Sequence, residues 1–214
     1  MNQNLMIPGP VGTLEVSVTS PSVIFSLETV AIICHPHPLY GGTMQNKVVT
    51  TLEKVFNQLG FICVRFNFRG VGKSQGSFDQ GRGEVDDLLA VMGWVKEHYQ
   101  NPKIILAGFS FGSYVALQVA SQPNHHIMML ITVAPAVNHF DFSIANQIQK
   151  PWILIQGDHD EVVPAEEVYH WVAQLEHKPD VLRFPEASHF FHGQLVLLRE
   201  RLLAEILNKL LKLQ

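Results

Sequence analysis

Apolar positions recur along this chain in two periods, and the two alternate. In residues 12–19, Leu14, Val16 and Val18 oppose Glu15, Ser17 and Thr19, the period of two expected of a half-buried strand. A turn at Ser20-Pro21-Ser22 follows, and residues 23–27 read as a short second strand. Residues 29–34 are continuously apolar and β-branched, as in a parallel strand covered on both faces. Residues 61–68, 104–107, 127–133, 152–156 and 181–184 are further strand stretches. Helical spacing lies between them. Residues 45–59 carry Val48, Val49, Leu52 and Val55 on one face, with Gly60 as the cap. Residues 84–99 turn Val85, Leu88, Leu89, Met92 and Val95 inward, and 165–175 and 191–213 are also helical. The leucine-rich face of the last helix is expected to pack on the sheet rather than form a dimer seam. Strands alternating with amphipathic helices predict an α/β fold, with a mostly parallel twisted sheet and helices on both faces. No repeat, low-complexity segment or linker divides the chain, so residues 1–214 read as a single domain.

One junction carries candidate chemistry. The apolar run 104–107 ends in Gly108-Phe109-Ser110-Phe111-Gly112, and Val115, Ala116, Val119 and Ala120 follow at helical spacing. This is strand, sharp turn, helix, with Ser110 at the apex. A serine held there adopts a strained backbone, at a cost of roughly 1–3 kcal/mol. The flanking glycines remove side chains that would clash with the turn. The turn lifts the hydroxyl clear of the sheet and points a helix N-terminus at charge developing beside it.

A serine hydroxyl is a poor nucleophile unless a base takes its proton and a carboxylate orients that base. In open α/β sheets such groups sit on loops past the carboxyl ends of strands. Strand 152–156 runs into Gly157-Asp158-His159-Asp160-Glu161-Val162-Val163-Pro164, and strand 181–184 into Pro185-Glu186-Ala187-Ser188-His189-Phe190-Phe191-His192-Gly193. The order serine, acid, histidine matches the strand–turn–helix type of site. The N–H of Phe111, directly after the serine, is one expected oxyanion donor, and the loop after strand 29–34 should give a second.

Taken together, these residues resemble the α/β-hydrolase superfamily over nearly the whole chain. The resemblance implies an α/β-hydrolase fold. The superfamily's G-x-x-D-x-x-V-P segment falls on Gly157 to Pro164 and selects Asp160 over Asp158 as the acid. Its histidine, after a small residue past the last strand, selects His189 over His192. Its D-x-R-G-x-G-x-S segment falls on Asn67-Phe68-Arg69-Gly70-Val71-Gly72-Lys73-Ser74, with Asn67 in the usual Asp place. The superfamily's His-Gly-x segment falls on His35-Pro36-His37, at the start of the loop His35-Pro36-His37-Pro38-Leu39-Tyr40-Gly41-Gly42, with Pro36 in the glycine's place. It implies the second oxyanion donor at His37; Leu39 is the alternative, since Pro36 and Pro38 carry no N–H. This loop, together with Phe66-Asn67-Phe68-Arg69-Gly70-Val71-Gly72 and Ser188-His189-Phe190-Phe191-His192-Gly193, looks like that of small bacterial hydrolases without a cap domain. The implied activity is a serine esterase acting through an acyl-enzyme, needing neither metal nor cofactor. Leu39, Tyr40, Phe109 and Phe190 are expected at the substrate, although Phe109, Phe111, Phe190 and Phe191 fit core packing equally well. Residues 134–151 are too short for a folded lid, so an open site for small or exposed acyl groups is expected. The competing readings are a thioesterase or peptidase with the same three groups, and a non-enzymatic ligand binder on the same fold. A dienelactone-type enzyme would carry cysteine where Ser110 stands.

Composition narrows the partners. With 47% hydrophobic and 16% charged residues the chain is an ordinary globular protein. A net charge of −4 supplies no basic field for nucleic acid or an anionic membrane. The expected partner is a small-molecule ester, and the expected state a monomer or homodimer. The amino terminus lacks the basic start and apolar core of a signal peptide, and no window reaches the ~18 apolar residues of a membrane span, so a cytoplasmic location is expected. Cys34 and Cys63 lie in strand runs and read as buried, reduced thiols. Gly72-Lys73-Ser74 is no phosphate loop, because Asn67 stands where the motif needs glycine. His35, His37, His159, His189 and His192 lack ligand spacing, and His35 is expected to hold its loop by hydrogen bonds. Arg69 is expected to tie its loop to Glu84 or Asp87, and His125-His126 to lie in a solvated turn.

Overall fold

The computed structural model describes residues 2–21, 29–123 and 127–212. The expected strand 23–27 and the His125-His126 turn lie outside these residues. The strands are β1 (Asn2–Gly9), β2 (Gly12–Thr19), β3 (Thr29–Cys34), β4 (Ile62–Phe66), β5 (Lys103–Phe109), β6 (Ile127–Val133), β7 (Trp152–Gly157) and β8 (Asp180–Phe184). The helices are α1 (Lys47–Gln58), α2 (Arg82–His98), α3 (Phe111–Ala120), α4 (Ala165–Gln174) and α5 (Leu195–Lys212). The strands form one sheet in the order β1-β2-β4-β3-β5-β6-β7-β8. β1 and β2 are antiparallel, β2 meets β4 antiparallel, and all remaining neighbours are parallel.

Strand alternation assigns the two faces. Val30, Ile32, Leu106, Leu130 and Leu154 face one cluster, which includes Leu88 of α2, Val115 of α3 and Val168 of α4. Ala31, Ile33, Ile105, Ile131 and Ile153 face the other, with Leu52 of α1 and Leu202 of α5. Cys34 belongs to the first cluster and Cys63 to the second, so the sheet itself separates the two buried thiols. Burial raises both pKa values, which keeps them protonated and inert.

Local chemistry sets the element ends. Gly60 (φ 76°) closes α1: its N–H donates to Asn57 O and that of Phe61 to Phe56 O, satisfying two terminal carbonyls. α2 begins at Arg82 rather than Glu84, because the Glu84 carboxylate folds back to accept from the N–H groups of Asp79 and Gly81. Arg69 pairs with Asp87 and not Glu84: its guanidinium and backbone N–H both donate to that buried carboxylate, at 2.8–3.1 Å. α5 begins at Leu195 rather than 191, since Phe191 (φ 53°) and Gly193 (φ 73°) make a left-handed turn that buries Phe191 against Phe184. Leu198, Leu202 and Ile206 bury the inner face of α5.

β3, β5, β6, β7 and β8 all end at the same edge of the sheet, and the segments leaving that edge build the site described next. The β6-to-β7 connection holds only a short 3-10 turn, Ser143–Gln147, and no cap. No helix among the described residues is long and apolar enough to cross a membrane.

Candidate active site

Ser110 occupies the bend between β5 and α3 with φ 54° and ψ −117°, a region that costs a non-glycine residue free energy. Its surroundings hold it there. Ser110 N–H donates to Val133 O at 2.8 Å. Ser113 Oγ donates to Gly108 O at 2.8 Å and accepts from Val133 N–H at 3.2 Å, pinning the first turn of α3 to β5 and β6. The neighbouring glycines are required by contact: a Cβ on Gly108 would lie 2.1 Å from Gly112 O, and one on Gly112 would lie 2.3 Å from Cys34 O. Helix and strands therefore approach closely enough to force the bend.

The loops after β7 and β8 bring the partners. His189 Nε2 lies 3.1 Å from Ser110 Oγ, and His189 Nδ1 lies 2.9 Å and 3.0 Å from the two Asp160 oxygens. Asp160 also accepts from Val162 N–H (2.9 Å), Val163 N–H (2.7 Å) and Gln156 Nε2 (3.1 Å). With three donors besides the imidazole, this buried carboxylate is held in one orientation. Glu161 braces the histidine from behind, accepting from His189 N–H at 3.0 Å. Asp158 is engaged elsewhere, by the Tyr169 hydroxyl and by Arg183 at 3.0 Å. His192 is exposed and touches Phe190 rather than the serine.

The loop after β3 forms the opposite wall. His35 is fully buried, with Nε2 accepting from Phe68 N–H at 3.1 Å and Nδ1 2.6 Å from Pro36 O. The ring is thus the neutral Nδ1–H tautomer, and burial lowers its pKa to about 4. His37 O accepts from Tyr40 N–H and Gly42 N–H, and His37 Nδ1 from Leu39 N–H at 3.2 Å. Of the two candidate donors, Leu39 N–H is consumed, whereas no acceptor among the described residues takes His37 N–H. Phe111 N–H, at the first position of α3, likewise has no intrahelical acceptor. Asn67 clamps this loop to the next one: Oδ1 accepts from Met44 N–H and Nδ2 donates to Glu15 Oε2, both at 2.8 Å.

A cleft of about 500 Å³ opens over Ser110 and His189. Tyr40 and Phe190 line it. Leu39 and Phe109 do not. Leu39 is 68% exposed on the outer side of a 3-10 turn. Phe109 is fully buried, because strand alternation puts it with Ile105 and Ala107 on the core side, where its ring lies 5.0 Å from that of His189. Sequence reasoning missed Asn46, Ala136, His139, Phe140 and Val162, which also line the cleft. Three of these come from the irregular connection after β6, where no period marks which side chains turn inward.

Comparisons with known proteins identify the family and the fold. An α/β serine hydrolase homologue from Coxiella burnetii shares 51% identity, with a TM-score of 0.91 over 95% of this chain and 96% of that one. A serine hydrolase without a lid from Xanthomonas campestris shares 45%, with a TM-score of 0.87 over 93% and 90%. An uncharacterised protein of Rickettsia prowazekii is 36% identical over 195 residues, 86% of this chain and 79% of its own length. A family profile described as the alpha/beta hydrolase fold matches residues 34–149. That match spans more than half of the sequence, and with it the chain belongs to the α/β-hydrolase family, in a form without a cap domain.

Proposed function

We propose that this hydrolase cleaves carboxylic esters of small or exposed acyl groups through an acyl-enzyme on Ser110. The observation that carries the reading is the line Ser110 Oγ, His189 Nε2, His189 Nδ1, Asp160, hydrogen-bonded at 3.1 Å and 2.9 Å at the floor of an open cleft. In the first step Oγ attacks the acyl carbon while its proton passes to His189 Nε2. Asp160 stabilises the resulting imidazolium and keeps Nδ1–H directed at itself. The carbonyl oxygen becomes an oxyanion, for which the N–H groups of Phe111 and His37 are the available donors. Each such donor is worth roughly 3–4 kcal/mol at the transition state. When the tetrahedral intermediate collapses, the carbon–oxygen bond to the alcohol breaks and His189 returns the proton to that oxygen. Water then repeats the sequence, losing a proton to His189 and releasing acid and free serine. The low lid-less rim favours acyl groups that need no enclosure.

The test is labelling with a fluorescent fluorophosphonate, comparing wild type with Ser110→Ala and His189→Ala. Labelling of the wild type that both variants lose is the expected result. A folded wild-type protein that takes no label would sink the proposal and leave ligand binding as the function.

A further inference from the structure

We infer that the acyl side of this cleft is built for an uncharged, planar aromatic acyl group, so that aryl and arylalkyl carboxylic esters are the preferred substrates. The inference rests on the esterase reading above. The direction of proton transfer divides the cleft. The leaving oxygen must reach His189 Nε2, so the alcohol lies on the His189 side, beside Phe190. The oxyanion turns to the N–H groups of Phe111 and His37, and the acyl substituent projects away from His189, into the part of the cleft lined by the side chains of Tyr40, His37 and Phe140.

That side is walled by rings. His37 lies 4.7 Å from Tyr40 and 5.1 Å from Phe111, centroid to centroid, and Phe140 lies 5.2 Å from Phe111 and 6.1 Å from His37. The planes are tilted by 36–58° to one another; Phe111 lies buried beneath, and the rings of His37, Phe140 and Tyr40 present the wall's surface, with both faces and edges. Aromatic pairs are favoured at centroid separations of about 4.5–7 Å in tilted or offset arrangements, and a further flat ring continues this array. A second layer fixes the wall: Phe78 packs on His37 at 4.7 Å, and Tyr114 stacks on Phe140 at 4.9 Å. Burial, and His139 beside it, lower the His37 pKa, which keeps that ring neutral at pH 7.

Charge points the same way. No Asp, Glu, Lys or Arg is among the described residues lining the cleft, so an ionised acyl group finds no fixed counter-charge. A merely greasy wall accepts any apolar chain and favours the larger one. An aromatic wall discriminates by electron distribution, and the two cases separate experimentally.

The experiment compares p-nitrophenyl phenylacetate with p-nitrophenyl cyclohexylacetate, alongside p-nitrophenyl acetate. In neither larger ester is the ring conjugated with the carbonyl, and the cyclohexyl group is the bulkier and more apolar. The expected result is a kcat/KM about fivefold higher for the phenylacetate, the size of an aromatic pair preference. Phe140→Leu should bring that ratio to one or below. Tyr40→Leu should lower it too, and its side chain, 87% exposed, can change without disturbing the fold. A ratio at or below one in an enzyme that hydrolyses p-nitrophenyl acetate overturns the inference and leaves the esterase reading standing. A ratio that both variants preserve overturns it as well. Absence of turnover on all three esters, with no fluorophosphonate labelling, removes both.

Discussion

Gln156 donates its side-chain amide to Asp160 Oδ2 at 3.1 Å, while the oxygen of the same buried amide meets no donor among the described residues. Turning the amide over would face that oxygen to the Asp160 carboxylate, so the orphaned oxygen is the cost of keeping a donor on the acid. Gln156 is a positioning residue on this reading. Gln156→Leu should lower kcat about tenfold, the loss of one charge-assisted hydrogen bond in the transition state. KM should stay within about twofold, because Gln156 lies outside the cleft. Thermal stability should hold or rise, since the orphan oxygen goes too. A fall in stability with kcat intact would assign Gln156 a structural role only.

The strained bend at Ser110 gives a prediction whose sign is unusual. Glycine in place of alanine normally destabilises by roughly 0.5–1 kcal/mol. At φ 54° and ψ −117° the order should reverse, with Ser110→Gly more stable than Ser110→Ala by about 1 kcal/mol in urea unfolding. Both variants should lose all hydrolase turnover. An alanine variant as stable as the glycine one would show that the surroundings, and not the φ angle, bear the cost.

The elements that could be read from the sequence are those in which local pattern and tertiary environment agree. Thr29–Cys34 reads as a doubly covered strand because it is one, and Gly108 and Gly112 bracket Ser110 because backbone packs against them. The strand ends marked the two loops that carry Asp160 and His189, and the superfamily pattern chose these residues over Asp158 and His192. What escaped was set by partners distant in sequence. β1 is an edge strand of mostly exposed residues, with Pro8 in it and only Ile7 buried, so no alternation marks it. Phe140 and His139 reach the cleft because residues 134–151 drape over α3, which periodicity cannot encode. Leu39, expected at the substrate, faces outward because of the 3-10 turn, which the local sequence does not reveal.

The structure accounts for Asn67 through its neighbour. Its Nδ2 donates to Glu15 Oε2 at 2.8 Å, an oxygen that also accepts from Lys73 N–H at 2.9 Å. Asn67→Asp would set two carboxylates against each other and should destabilise at pH 7 by about 2 kcal/mol. The pair would then bind a proton more tightly folded than unfolded, so the deficit should shrink as pH falls toward 5. Urea midpoints at pH 7 and pH 5 test this. Equal stability of variant and wild type at pH 7 would remove Glu15 as the reason for the asparagine.

His35 should make the fold sensitive to mild acid. Its pKa is about 4 in the folded protein against 6.5 for the free side chain, because burial, and to a lesser degree the neighbouring His37, disfavour the imidazolium. Between these values the unfolded chain binds the extra proton and the folded one does not. Stability from His35 is therefore complete above about pH 6.5, declines as pH falls toward 4, and is level below that. The span corresponds to roughly 3 kcal/mol. His35→Phe removes the titration at the expense of leaving Phe68 N–H and Pro36 O without their partner. It should be less stable than wild type at pH 7 by about 2 kcal/mol, yet lose about 2 kcal/mol less than wild type between pH 7 and pH 4.5. The measurement is urea unfolding of both proteins at the two pH values. Parallel losses would mean that the acid sensitivity of the fold lies with other groups. Because His35 holds the loop that carries His37, the wild type should also lose ester turnover as it approaches that transition, before global unfolding is complete.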